Sequence, residues 1–398
     1  MTEANMNIRE IVKNHEQYAI TLRRWFHQFP ELSGKEKMTH QKIASELSNA
    51  NIEYKTVGNY GIIGILRGAS PGKTVLLRAD MDALPIEESK YNLSNERDIV
   101  SKVDGVSHMC GHDCHMAIML TVAKILASMK DRVKGTVLFC FESGEEDGSG
   151  VKDMIEFLKN VRVDGVWGIH VRSDLPSERI SVNSGVRMSG SSKFNVIVRG
   201  KGGHGSRPDQ TIDPINCTAQ ILCNLSSIQS RIVDPRDTVV LTVGKLHAGE
   251  AINIIPETAS FGGTIRFYDN SNEKQVKNAF YTIVNNVAAA NNCSVTIDYD
   301  GPKPPVVNDP ILSKIAEKSI EKAIGKEALL DTQPWLASDT IGRYTSRYPG
   351  VYAFLGIKNE RLGSGASHHN SKFDVDESSL AVGVAATVQF VIDFLNNN

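Results

Sequence analysis

Apolar, strand-like runs alternate with helical segments through most of this chain, and this alternation limits the folds open to it. The runs are short and largely apolar, as strands covered on both faces are, whereas the helical segments repeat apolar residues at helical spacing. The strand-like runs are Tyr60 to Arg67, Thr74 to Ala79, Gly135 to Glu142, Asp164 to His170 and Val351 to Leu355. The predicted helices are Ile8 to Phe29, Lys37 to Ala50, Met116 to Met129, Val151 to Leu158, Pro310 to Ile324 and one from Glu377. The pattern predicts an α/β fold on a mostly parallel, doubly wound sheet.

Polar side chains end or follow several of these runs. Asp80 and Asp82 follow the run that ends at Ala79, Glu145 and Glu146 follow the next, and His170 ends the one after that. In open parallel sheets, ligands collect beyond the carboxyl ends of the strands. We therefore expect these side chains, distant in sequence, to lie along one edge of the sheet.

The stretch from Ser107 to His115 combines histidines, cysteines and an aspartate directly before the helix predicted from Met116. Thiol and imidazole groups presented from a loop that opens a helix suit a transition-metal site. The alternative for this stretch is a pair of buried cysteines beside polar loop histidines. Because the polar strand ends are expected at the same edge, the metal site is the better interpretation.

The middle of the chain follows a different pattern. Its predicted order of strand, helix, strand, strand, helix and strand is that of a ferredoxin-like βαββαβ unit. We expect residues 1–188 and 300–398 to form a discontinuous metal-binding catalytic domain, and residues 189–299 to form an inserted lid or dimerisation domain. An exposed sheet edge or helical face on the insert would make a homodimer contact.

Composition excludes some classes of function. A chain of 398 residues is too long for one ordinary core, and its formal net charge of −2 provides no basic field for nucleic acid. No apolar run long enough to span a membrane and no export signal is expected from the sequence. The six cysteines, spread over this length, do not suggest a disulfide framework. These observations favour a cytoplasmic protein with free thiols.

Several motifs together resemble the M20 family of metallopeptidases, in particular its aminoacylase-like amidohydrolase branch of hippurate and auxin-conjugate hydrolases. The most specific motif is His108-Met-Cys-Gly-His-Asp-Cys-His115, which matches that branch's H-x-C-G-H-D-x-H. The other matching segments are Arg24 to His27, Leu77 to Pro85, Glu145-Glu146, Gly168 to His170, Gly202 to Pro208, Asn253 to Pro256 and His369 to Asp374. The resemblance covers nearly the whole chain.

This resemblance implies a centre with two divalent metal ions per subunit. It implies that Cys110 bridges the ions and that His112, Glu146, His170 and His369 complete their shells. His368 is the alternative to His369, but adjacent side chains in an extended segment point apart, so only one of the two is expected to bind. Thiolate and imidazole favour zinc, nickel or cobalt, and manganese is common in relatives.

The resemblance also implies roles for residues that do not bind metal. It identifies Glu145 as the general base and Asp82 as the carboxylate that orients a ligand or the base. In the inserted domain it implies that His204 reaches the substrate oxyanion from its own or the partner subunit, and that Asn253 and Arg266 hold the substrate's amide and carboxylate. The alternative interpretations are a loop position for His204 and an exposed strand position for Arg266.

The function implied is hydrolysis of the amide bond of an N-acyl amino acid by water activated between two metal ions. A dipeptidase of the same superfamily is the main alternative. A non-catalytic binding protein on the same fold is a remote one, as is a nucleophilic role for Cys110 with His112 as its base. The chain departs from the branch at Glu142 to Gly144, where Gln-Pro-Ala is common, and at Ser338 to Thr340, where Ser-Glu-Asp is usual.

Overall fold

The computed structural model describes residues 7–397. Its strands are β1 Glu53–Val57, β2 Gly61–Arg67, β3 Ser70–Asp80, β4 Lys134–Glu142, β5 Gly165–Pro176, β6 Ile180–Ser181, β7 Gly185–Met188, β8 Gly190–Arg199, β9 Gly203–His204, β10 Val239–Ala248, β11 Ile254–Ile255, β12 Thr258–Phe267, β13 Ser294–Lys303, β14 Val306–Asn308 and β15 Gly350–Lys358. Its helices are α1 Ile8–Lys13, α2 Glu16–Gln28, α3 Lys37–Asn49, α4 His112–Ser128, α5 Val151–Leu158, α6 Pro214–Ser227, α7 Asn270–Ala290, α8 Pro310–Ile324, α9 Gly342–Thr345 and α10 Ser379–Asn396.

The chain forms two compact units. The larger unit contains the described residues up to Arg187, Val307–Gln333 and those from Arg343 onward, and the smaller unit contains Met188–Val306 and Pro334–Gly342. The sequence placed the second boundary between residues 299 and 300, but β13 continues to Lys303. In the smaller unit the Ser189 hydroxyl donates to the Leu336 carbonyl oxygen at 2.8 Å, which ties the segment from Pro334 to the beginning of β8.

A seven-stranded sheet in the order β1-β2-β4-β3-β5-β15-β6 organises the larger unit. The pairs β3–β4, β3–β5 and β5–β15 are parallel, which confirms the predicted mostly parallel sheet. Strand β2 runs antiparallel to β4, and the edge strand β6 runs antiparallel to β15. Only a short turn separates β6 from β5, and a parallel return to the same sheet would need a crossover of roughly a dozen residues. Because β15 is parallel to β5, a strand that reverses after β5 is antiparallel to β15.

Two apolar helices fill the core of the larger unit. Nearly every residue of α4 is buried, as expected for a helix that is apolar on all sides. No apolar run long enough to span a membrane was expected from the sequence, and this expectation was wrong for α10. By length and composition, α10 is long and apolar enough to cross a membrane, although most of it is buried inside the protein. Trp167 on β5 stacks on Phe390 of α10 with ring centroids 4.4 Å apart, and its Nε1–H donates to Thr387 Oγ1 at 3.0 Å.

The first predicted helix is two helices in the structure. A break at Asn14 and His15 separates α1 from α2. The Ile11 carbonyl oxygen, which would accept the His15 backbone N–H in a continuous helix, accepts the His15 Nδ1–H at 2.8 Å. The His15 backbone N–H instead donates to the Val12 carbonyl oxygen at 2.8 Å, so the chain turns more tightly there.

The smaller unit is the predicted ferredoxin-like βαββαβ fold. Its four-stranded antiparallel sheet has the order β10-β12-β8-β13, with α6 following β8 and α7 following β12. Alternate side chains of β8, such as Phe194, Val196 and Val198, are buried with residues of both helices. The intervening side chains of β8 are exposed, so one face of the sheet is open. The short strands β9 and β11 form a separate antiparallel ribbon.

A buried cluster of charges joins α2 to the first turn of α4. His27 Nδ1 lies 2.8 Å from Asp113 Oδ2, and His27 Nε2 lies 2.9 Å from Glu88 Oε1. Arg23 Nε also donates to Asp113 Oδ2, at 2.9 Å. Burial and the neighbouring Arg23 lower the pKa of His27, but the hydrogen bonds to both carboxylates outweigh them and raise it above its ordinary value. Both ring nitrogens of His27 thus lie within hydrogen-bond distance of a carboxylate, the arrangement that a protonated imidazole makes, although Arg23 Nη2 also lies 3.2 Å from Nδ1.

We expect His27→Ala to lower the free energy of unfolding by about 3–5 kcal/mol, because breaking a buried ion network leaves the remaining charges uncompensated. Since folding raises the pKa of His27, its contribution is complete below the unfolded pKa of about 6.5 and is lost as the pH rises through the folded value. Urea denaturation of both proteins across this pH range measures the effect.

The matched control is His247→Ala, at an exposed position of β10, which should change stability by no more than about 0.5 kcal/mol. Equal stability losses for the two variants, or a gap between wild type and His27→Ala that widens at high pH, would contradict a raised pKa for His27.

Candidate metal centre

Five loops and strand ends of the larger unit bring chemically active side chains to one edge of its sheet. β3 leads to Asp82, β4 leads to Glu145 and Glu146, and β5 carries His170. The remaining two are the loop before α4, which supplies Cys110 and places His112 at the first helical residue, and the loop before α10, which supplies His369. The convergence expected from the strand ends is present in the structure.

The potential ligand atoms form overlapping groups. Those of Cys110, His112 and His170 lie within 4.8 Å of one another, and so do those of Cys110, Glu146 and His369. Cys110 Sγ is 3.7 Å from His170 Nε2, and Glu146 Oε1 is 3.4 Å from His369 Nε2 and 3.8 Å from His112 Nε2. The thiol of Cys110 is common to both groups, which is the arrangement that a sulfur shared by two cations requires.

The hydrogen bonds of the two inner imidazoles direct the same nitrogen of each ring toward this cluster. His112 Nδ1 donates to the Asp82 carbonyl oxygen at 2.9 Å, and His170 Nδ1 donates to the Val171 carbonyl oxygen at 2.7 Å. Each ring therefore uses Nδ1 for this hydrogen bond and presents Nε2 to the cluster, the atom through which it can bind a cation. His112 Nε2 and Glu146 Oε1 are buried without a hydrogen-bond partner, which is unusual for polar atoms unless an ion binds them.

Asp82 connects a ligand candidate to the glutamate loop. One carboxylate oxygen, Oδ1, is 3.2 Å from His112 Nδ1, and the other accepts from the Glu146 backbone N–H at 3.0 Å and from Ser33 Oγ at 2.6 Å. Burial raises the pKa of Asp82, but its hydrogen bonds to His112 and Ser33 outweigh burial and lower it. An ionised Asp82 thus fixes the ring of His112 and the backbone of Glu146 together.

Burial raises the pKa of the Cys110 thiol well above its ordinary value, and the Glu146 carboxylate adds to this. A thiolate at this position needs a positive partner, and a coordinated cation provides one. The donor set of one sulfur, three imidazoles and one carboxylate suits a divalent transition metal. The residues present therefore fit a metal centre.

A further group of side chains, formed by Asp80, His112 and His115, is unsuited to metal binding. His115 Nδ1 donates to Asp80 Oδ1 at 2.5 Å, and His115 Nε2 accepts from the Val171 backbone N–H at 3.0 Å. Both ring nitrogens are used, so His115 has no lone pair to offer. Asp80 Oδ2 also accepts from Arg78 Nη1 at 2.8 Å. Asp80, which the sequence left unassigned, thus accepts from both His115 and Arg78, and its Oδ2 lies 3.6 Å from His112 Nε2.

The two adjacent histidines before α10 point in different directions. His369 has a left-handed backbone with φ of +60°, and its backbone N–H donates to the Met109 carbonyl oxygen at 2.8 Å. This bond ties the loop of His369 to the loop of Cys110. His368 Nε2 accepts from the Ser173 backbone N–H at 3.3 Å. Of the pair, His369 is the one whose Nε2 approaches Glu146 Oε1, at 3.4 Å.

Glu145 is buried, and its carboxylate lies within 4.8 Å of the ligand atoms of His112 and Glu146. The preceding Gly144 has a φ of +63°, so the chain turns sharply between β4 and the two glutamates. Both adjacent glutamates therefore reach the cluster. One of them is able to bind a cation while the other exchanges a proton.

The three predicted residues of the inserted domain lie in the smaller unit. His204 is exposed on β9, and its Nδ1 accepts from the Ser206 backbone N–H at 3.1 Å, which leaves the ring proton on Nε2. Asn253 precedes β11, and its carbonyl oxygen accepts from the Gly205 N–H at 2.9 Å, so it shares a ribbon with His204. Arg266 on β12 is half-buried rather than fully exposed, and its Nη1 is a buried donor without a partner. Burial lowers the pKa of Arg266.

Comparisons with known proteins agree with this chemistry. The family model described as Peptidase family M20/M25/M40 matches residues 76–393. The chain is 36% identical to thermostable carboxypeptidase 1 of Saccharolobus solfataricus over 98% of both chains. It is 33% identical to the N-acetyl-L-cysteine deacetylase of Bacillus subtilis, over 92% of this chain and 85% of the relative. The crystal structure of the Bacillus subtilis YxeP protein, described as a dinuclear metal-binding peptidase of the M20 family, has a TM-score of 0.83 and 26% identity, covering 97% of this chain and 100% of that one.

Proposed function

Since the chain belongs to peptidase family M20/M25/M40 and is a metal-dependent amidohydrolase, we propose that it hydrolyses the amide bond of N-acyl amino acids. The observation that carries this proposal is the cluster of candidate ligands Cys110, His112, Glu146, His170 and His369. Two ligand atoms of this cluster, His112 Nε2 and Glu146 Oε1, are buried without a hydrogen-bond partner. Relatives named as an N-acetyl-L-cysteine deacetylase and a carboxypeptidase both act, by their names, on substrates whose amide is followed by a free carboxylate. That shared feature supports an N-acyl amino acid as the substrate class.

We propose that these five side chains hold two divalent ions, with Cys110 shared between them. A related structure described as dinuclear supports this number. When bound, two such ions lower the pKa of water and polarise the acyl carbonyl. Zinc, nickel, cobalt and manganese are the candidates, because thiolate and imidazole suit the first three and carboxylate suits the last.

Other residues of the chain carry the proton and hold the substrate. In this proposal Glu145 takes the proton of the attacking water and later delivers it to the leaving amine. Asp82 keeps His112 in the tautomer that binds through Nε2. The Nε2–H of His204 donates to the developing oxyanion. Asn253 holds the substrate amide, and Arg266 donates two parallel hydrogen bonds to the substrate carboxylate.

A panel of amides tests the substrate class. We expect hydrolysis of the amide in N-acetyl and N-benzoyl amino acids, and much slower amide hydrolysis in the matched methyl esters, which lack the carboxylate proposed to bind Arg266. A dipeptidase or carboxypeptidase is the second candidate, favoured by the 36% identical carboxypeptidase. Turnover of dipeptides alone would replace the proposal with that candidate, and no turnover of any amide by metal-loaded protein would reject both.

We propose further that the protein is a cytoplasmic homodimer formed through the inserted domain. The four-stranded sheet of that domain leaves β10 and β13 as edge strands, and exposed edges invite pairing with a second copy. All six cysteines are free, as a reducing compartment favours. Light scattering should give twice the 43.6 kDa of one chain. The mass of a single chain would contradict the dimer.

A further inference from the structure

Glu36 is a fully buried carboxylate that neither binds the candidate metals nor caps its own helix. It occupies the N-cap position of α3, yet its side chain makes no capping hydrogen bond there. The cap is supplied by Glu31, whose carboxylate accepts from the backbone N–H groups of Met38 at 3.1 Å and Thr39 at 2.8 Å. Glu36 is therefore available to another part of the structure.

The Glu36 carboxylate holds the loop that follows β4. One of its oxygens accepts from the Gly144 backbone N–H at 2.7 Å, and the other accepts from Ser143 Oγ at 2.9 Å. These are the two residues immediately before Glu145. The loop is tightly closed, because a Cβ on Gly150 would lie 1.8 Å from the Ser143 carbonyl oxygen. Ser143 and Gly144 are therefore closely packed, and Glu145 follows them directly in the chain.

The same turn also supports the other side of the cluster. Ser33 Oγ donates to Asp82, and the Glu31 carbonyl oxygen accepts from the Ala83 backbone N–H at 2.8 Å. Asp82 in turn accepts from the Glu146 backbone N–H. The segment from Glu31 to Glu36 thus contacts both the loop of Asp82 and the loop of Glu145, and sets the distance between them.

We propose that Glu36 is a positioning residue for amide hydrolysis, which holds the backbone of Ser143 and Gly144 so that Glu145 meets the reacting water. The inference rests on the proposed function. A carboxylate is suited to this task because its two oxygens accept from Gly144 N–H and Ser143 Oγ at the same time. Ser143, which stands where the resembled branch commonly has proline, contributes a hydroxyl that proline lacks.

Glu36→Met keeps the length of the side chain but removes both acceptors. We expect kcat to fall by about 10–100-fold, the usual effect of losing an outer hydrogen-bond partner, with KM and metal content unchanged. Glu36→Gln should recover much of the loss, because its amide oxygen accepts from Gly144 and its NH2 group donates to Ser143 Oγ. Ser143→Ala should lower kcat by about tenfold, and adding it to Glu36→Met should cost little more, because both changes break the same contact.

The matched control is Glu46→Met, which removes a carboxylate from the other end of α3, where it accepts from the Tyr18 hydroxyl at 2.6 Å and from Lys42 Nζ at 2.7 Å. It should lower stability and leave kcat unchanged. Amide hydrogen exchange on the full metal-loaded chain gives a readout that needs no substrate: exchange at Gly144 should be about tenfold faster in Glu36→Met and unchanged in Glu46→Met.

Wild-type kcat and exchange in Glu36→Met, or additive losses in the double variant, would overturn the positioning role. If Glu36→Met does not fold, Ser143→Ala decides, and an unchanged kcat overturns it. A wild type that turns over no amide would reject the proposed function instead, and the exchange measurement would still test whether Glu36 holds the loop.

Discussion

Glu145→Gln is expected to lower kcat by about 10²–10⁴-fold, the usual contribution of a general base, while metal analysis finds the same ions as in wild type. Glutamine is nearly isosteric with glutamate, so the buried loop keeps its shape. Its amide does not accept a proton from water, and it has none to return to the leaving amine. Steady-state kinetics with an N-acyl amino acid, together with elemental analysis, measures both quantities.

The matched control is Asp147→Asn, an exposed position two residues further along the same loop. It removes a carboxylate from the loop without touching the cluster and should leave kcat near the wild-type value. Retained turnover in Glu145→Gln would exclude Glu145 as the base. Loss of metal in that variant would instead identify Glu145 as a ligand, exchanging its proposed role with Glu146.

Cys110→Ala is expected to reduce bound metal more than any other single ligand change, because Cys110 is the residue proposed to be shared by both ions. The apparent affinity should fall by more than the ~10–100-fold that loss of an outer hydrogen bond costs. Activity should fall with it. Titration of the metal-free protein, followed by elemental analysis, checks the stoichiometry and the affinity.

Cys114→Ala is the control, since this buried thiol lies four residues further along, in α4, and belongs to none of the candidate ligand groups. It should bind metal as wild type does. Two ions per chain in Cys110→Ala would contradict a shared sulfur. Activity that disappears on chelation and returns with metal would also exclude the alternative in which Cys110 is a nucleophile that works without metal.

The sequence predicts best those elements whose signal is a long local pattern. The inner strands β3, β4, β5 and β15 are apolar runs with few other interpretations, and α8 begins at proline and ends before glycine. Strand β1 was missed because four of its five residues are exposed, so it lacks apolar character. The break between α1 and α2 depends on a bond from an imidazole to a carbonyl group, which no periodicity predicts.

The candidate ligands were found for a comparable reason. Glu146 follows β4, His170 lies within β5, and Cys110 and His112 belong to the dense Cys and His loop, so the topology of a parallel sheet brings these four together, whereas His369 was identified from the family resemblance. The residues that hold the site loops in place were not predicted, because only their contacts with segments distant in the sequence reveal them. Arg97, for example, donates to the carbonyl oxygens of Phe373 at 2.6 Å and Ser371 at 3.2 Å, beside the loop of His369. Nothing in the spacing of Arg97 or Glu36 distinguishes them from surface charges.

The left-handed backbone at His369 limits how this centre tolerates redesign. Only a few residues other than glycine, chiefly asparagine, aspartate and histidine, adopt such a conformation readily. An engineer who wishes to shift metal preference toward harder ions therefore has aspartate as a replacement that keeps the local geometry. Glutamate or cysteine would have to rebuild the loop as well as the coordination. Variation at this position is restricted by backbone shape as much as by affinity for the ion.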